Sequence, residues 1–142
     1  MQPDAARLRR LQRLERVRAI ARQTALGEAA RAEGTLAQLS ALAERTRAMS
    51  EDYRASGLLG DGHQLRQLGA FVAGLQGISA ATANDLTQAR SIADARQHDL
   101  AQAERRRAVV EKRARDQARA IAQAHAPQTL GARRAVGTVL EE

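Results

Sequence analysis

The sequence predicts an all-α fold, a long two-helix antiparallel coiled-coil hairpin. Three observations lead there. Alanine, leucine, arginine, glutamine and glutamate, the strongest helix formers, dominate the 142 residues, and Pro3 and Pro127 are the only prolines. One Phe, one Tyr and no Trp occur, and much of the 44% apolar content is alanine. Alanine buries little area, so a compact globular core of this size would be poorly filled. Finally, two long stretches carry small or apolar side chains in steps of three and four, the repeat of helices packed along a narrow seam.

The first helix is expected over about residues 4–55. Its seam reads Leu11, Leu14, Arg18, Ala21, Ala25, Glu28, Ala32, Thr35, Leu39, Leu42, Thr46, Met49, Tyr53. A glycine-rich break spans residues 56–62. There Gly57 suits a left-handed helix end, and Asp61 followed by Gln64 reads as an N-cap with its capping-box partner. So short a connection makes the two helices antiparallel neighbours, folded about residue 59.

The second helix is expected over about residues 63–125. Its seam reads Leu65, Leu68, Val72, Leu75, Ser79, Thr82, Leu86, Ala89, Ala93, Arg96, Leu100, Ala103, Arg107, Val110, Ala114, Gln117, Ile121. Pro127 disfavours helix at the residue before it, which places the stop near Ala126. Residues 127–142 read as a flexible tail following a coiled coil that occupies residues 1–126.

Charge is unevenly spread. Residues 1–22 hold seven Arg against Asp4 and Glu15; residues 104–119 hold six Arg and Lys112 against Glu104, Glu111 and Asp116; the rest nets −2 within a total of +7. A hairpin brings the two basic segments together. That makes either a solvated arginine face or a docking tip for an acidic surface, favoured by long-range steering. Beside the second seam, Phe71 and Ile78 widen the apolar stripe around Leu75. They offer either a partner site or a ring that folds back onto Met49 or Tyr53.

No catalytic chemistry is legible. His63, His98 and His125 share no ligand spacing with acidic residues, and no phosphate loop, nucleophile elbow or zinc motif occurs. The expectation is a binding protein, not an enzyme, and one without a cofactor. Absent cysteine excludes disulfides and thiolate-bound zinc. The N-terminus has no apolar h-region, and the longest uncharged run, Gln67 to Asn84, is too polar to span a bilayer, so a cytoplasmic protein is expected. A pI near 11.4 keeps a basic structural or nucleic-acid-associated coiled coil in view, with non-specific phosphate contacts. Acidic residues interrupt its basic runs, however, and its aromatics lie away from them. The same seams could also pair between chains as a homo-oligomer.

The layout resembles the FliJ family of flagellar export proteins and its YscO-type relatives in injectisomes, over roughly residues 4–125. The features that carry the resemblance are Leu8-Arg9-Arg10-Leu11, the mid-chain break, Phe71-x-x-x-Leu75, and the basic close Ala103-Glu104-Arg105-Arg106-Arg107 through Glu111-Lys112-Arg113. The resemblance implies a cytosolic hairpin of the type III protein export apparatus that binds the export ATPase FliI and promotes its assembly. It also implies contact with the export gate FlhA, and so a peripheral place at the inner membrane. It assigns Arg9, Arg10, Arg13, Arg16, Arg106, Lys112 and Arg113 to the ATPase ring, and Phe71 and Leu75, with neighbouring Ile78, to the gate. The chain departs from the family in its extreme Ala/Arg bias and its shortage of Lys and aromatics.

Overall fold

The computed structural model describes residues 4–57 and 60–138, with side chains described as far as Ala126. Two long helices, α1 (Ala5–Ser56) and α2 (Gly62–Thr138), pack against each other as an all-α helical hairpin. Both starts are capped by aspartate. The Asp4 carboxylate accepts the Ala6 N–H at 2.8 Å, and that of Asp61 accepts the Gln64 N–H at 2.8 Å. Each satisfies a backbone donor that the first turn leaves without an intrahelical partner.

The end of α1 differs from the expected left-handed glycine. Gly57 lies in a 3₁₀ turn, and no described residue has positive φ. Its lack of a side chain serves close approach instead: a methyl group there would come within 2.6 Å of Leu68 Cδ2. The end of α1 therefore meets the second turn of α2, beyond the Asp61 cap. Leu58 and Leu59 lie outside the described residues.

The stop expected near Ala126 is also corrected, because α2 runs through Pro127 to Thr138. Proline removes one N–H···O bond and crowds the preceding turn, but its bias against helix in the residue before it is a preference. Flanking alanines and Gln123 are strong helix formers that override it here. Of the expected tail, residues 127–138 are helical backbone, and residues 139–142 lie outside the described residues.

The helices divide into two compact units, residues 26–99 and residues 1–25 with 100–142. In the first, the seam consists of small and aliphatic side chains. Ala29, Thr46, Leu75, Thr82, Ala89 and Ala93 are buried, flanked by half-buried Leu36, Leu39, Leu68, Val72 and Leu86. The Thr46 hydroxyl donates to the Leu42 carbonyl at 2.9 Å, so its burial leaves no orphan donor. In the second, Val110 and Ala114 are buried, but Glu15, Arg18, Arg22, Arg107, Glu111 and Gln117 also stand half-buried along the seam.

Facing pairs fix the register. Asp4 with Gln117 and Arg22 with Glu104 in one unit, and Glu28 with Arg96 and Tyr53 with Phe71 in the other, centre the hairpin on about residue 62 rather than 59. The close approach of Gly57 to Leu68 shares that centre. The α2 seam follows the expected positions apart from exposed Leu65, Ser79 and Arg96. On α1 every second seam position falls one residue later than expected, at Glu15, Arg22, Ala29, Leu36, Ala43 and Ser50, while Leu14, Leu42 and Met49 are exposed beside the seam.

Candidate protein-docking surfaces

In the unit formed by residues 26–99, the Phe71 ring lies 4.6 Å from that of Tyr53, centroid to centroid, tilted by 56°. This tilted pairing matches the preferred geometry of aromatic quadrupoles. Phe71 nonetheless remains 44% exposed. Leu75, one helical turn on, is only 7% exposed; it fills the seam and leaves little surface for a partner. Ile78 is 51% exposed.

Phe71, Ile78 and Ile92 share one heptad position on α2, interrupted by Asp85, and all three are exposed. Leu42 and Met49, seven residues apart on α1, are exposed too. Between the helices a groove of about 260 Å³ is lined by Ala32, Thr35, Leu39, Asp85, Ala89 and Ile92 among others. A methyl group added at Gly69, Gly74 or Gly77 would meet nothing within 4 Å, so packing inside the hairpin does not require these glycines. Elsewhere in this unit, Arg47 bridges Glu44 and Glu51 along the exposed face of α1. Its hydrogen bond to Glu44, reinforced by its charge, holds the Glu44 carboxyl below the usual range.

The second unit gathers the predicted basic residues, which lie on both helices. Arg106 and Arg113 line a groove of about 300 Å³ together with Arg18 and Arg105 and with Leu14, Val109 and Val110. None of these four arginines has an ion-pair partner among the described residues. Glu104, next to Arg105 in sequence, is engaged by Arg22 at 3.5 Å. Arg10 pairs with Asp4 at 3.8 Å, and Arg16 lines a separate shallow groove with Gln12, Glu15 and Ala19. Arg9, Arg13 and Lys112 are exposed and do not join the four-arginine groove. The Nε atoms of Arg18 and Arg107 are shielded from solvent and have no acceptor among the described residues.

Leu14 and Val109 escaped the sequence reading as surface residues. The adjacent pair Val109-Val110 held the clue, since two successive helical residues cannot both face one narrow seam. Among the described residues, no group of acids and histidines could hold a metal, and no helix is long and apolar enough to cross a membrane. Comparison with family models, with curated proteins and with solved structures finds no match for this chain.

Proposed function

We propose that the chain is an adaptor that binds other proteins, acting in a type III export apparatus as the FliJ-like layout implies. The observation that carries the reading is the heptad line of exposed apolar residues Phe71, Ile78 and Ile92, with Leu42 and Met49 on α1. A two-helix seam requires only its own inward positions, so repeated apolar side chains outside it are surface that water disfavours and a partner can cover. In this reading Phe71 and Ile78 contact the gate, held in place by buried Leu75. The basic residues Arg9, Arg10, Arg13, Arg16, Arg106, Lys112 and Arg113 serve the export ATPase. The protein would then work in the cytoplasm, peripherally at the inner membrane.

A pull-down with the cytosolic domain of the gate encoded in the same genome tests the apolar contact. Ile78→Ser is expected to weaken capture by about tenfold or more, as loss of a desolvated anchor does, with no change in thermal melting. Reversal of Arg106, Lys112 and Arg113 to Glu is expected to reduce stimulation of the cognate ATPase and spare gate capture. Wild-type protein that neither captures the gate nor stimulates the ATPase refutes the export reading.

A further inference from the structure

The unit that carries the basic residues offers more than charge. Arg18, Arg105, Arg106 and Arg113 line one groove together with apolar side chains, of which Leu14 is 39% and Val109 49% exposed. Each of the four lacks a carboxylate partner among the described residues. Arg18 is half-buried, and its Nε is withdrawn from solvent without an acceptor among them. A donor desolvated in this way gains more from an incoming carboxylate than a fully hydrated one does.

We propose that this groove docks an acidic amphipathic helix of a partner protein. Its apolar stripe would lie on Leu14 and Val109, and its flanking carboxylates would take the guanidinium groups of Arg105, Arg106, Arg113 and Arg18. Charge and shape select this occupant together. A helix laid in a groove presents anchors at i, i+3, i+4 and i+7 with charges on either side, and the groove offers both in complement, apolar side chains for the stripe and arginines for the carboxylates. A nucleic-acid backbone would use the arginines and leave Leu14 and Val109 uncovered, and both rings of the one aromatic pair, Tyr53 and Phe71, belong to the other unit. The inference rests on reading the chain as a protein-binding adaptor. It shares Arg106 and Arg113 with the proposed ATPase contact and no residue with the Phe71 line, so peptide binding can fail while gate capture and ATPase stimulation hold.

The probe is a fluorescein-labelled helical peptide of about 18 residues, five turns, with leucines along one stripe and glutamates elsewhere. Its controls are a peptide of the same composition with the stripe scrambled, and a short DNA duplex as competitor. Fluorescence anisotropy with the full chain should show saturable one-to-one binding of the striped peptide, at least about tenfold tighter than the scrambled one. Replacing Arg105, Arg106 and Arg113 by Gln should weaken binding at low salt and flatten its salt dependence. Leu14→Asn with Val109→Asn should weaken it at low and high salt alike. Arg115→Gln with Arg119→Gln, which removes charge outside the groove, should change little. The substituted side chains are exposed, and circular-dichroism melts check that each variant keeps its fold. Equal affinity for the scrambled peptide, displacement of the striped peptide by equimolar DNA, or no saturable binding would each overturn the proposal.

Discussion

The Tyr53–Phe71 pair allows a quantitative test of how much the aromatic contact contributes to the hairpin. Fully burying a phenylalanine side chain is worth about 1.5–3 kcal/mol. Phe71 is 44% exposed, so a little over half of that is realised, about 1–1.5 kcal/mol. The tilted ring contact at 4.6 Å adds about 0.5–1.5 kcal/mol beyond area. Phe71→Ala should therefore destabilise the fold by about 1.5–3 kcal/mol in urea unfolding followed by circular dichroism. The decisive quantity is the coupling. In a cycle of Phe71→Ala, Tyr53→Ala and the double variant, the two single losses should exceed the double loss by about 0.5–1.5 kcal/mol. Additivity within about 0.3 kcal/mol would refute a specific ring contact and leave only general burial.

Cysteines at Leu14 and Val110, which line one groove, should form an intrachain disulfide or short cross-link at high dilution in this otherwise cysteine-free chain. The Leu14/Ala103 pair, which a hairpin centred on residue 59 would bring together, should react more slowly, and the reverse order would contradict the register. Glu44 supplies a pH test. Its carboxyl is depressed in the folded state by Arg47, so the stabilisation it provides is present above the ordinary glutamate range and fades as pH falls through the depressed value. Arg47→Gln should return the Glu44 titration to its usual range by NMR, and an unchanged titration would show that Arg47 is not the cause.

Element existence was legible because helix propensity and heptad spacing agree along most of the chain. On α2 large residues such as Leu68, Val72, Leu75 and Leu86 mark the seam plainly. On α1 the shared positions Leu11, Ala25, Ala32, Leu39 and Thr46 are correct, but those between them were drawn to the larger neighbours Leu14, Leu42 and Met49. The fold instead places Ala29, Ala43 and Ser50 inward, where small side chains let the helix backbones approach, together with Glu15, Arg22 and Leu36, and leaves Leu14, Leu42 and Met49 exposed beside the seam. Alanine occupies so many adjacent positions that hydrophobicity alone could not choose between two faces one residue apart. The groove lining at Leu14 and Val109 was hidden by the same ambiguity. Gly57 was read by its conformational freedom, whereas what mattered was the space above its α-carbon. Pro127 shows local bias yielding to a run of strong helix formers.

No large side chain among the described residues is fully buried. That has a calorimetric consequence. The heat capacity of unfolding tracks apolar surface newly exposed to water, about 12–15 cal/mol/K per residue in ordinary globular domains. A seam of alanine, threonine and half-covered leucine exposes less than that when the helices part. The curve of stability against temperature is correspondingly flat, without the pronounced maximum that a thick core imposes. Cooling therefore removes little of what holds these helices together, and warming erodes it gradually.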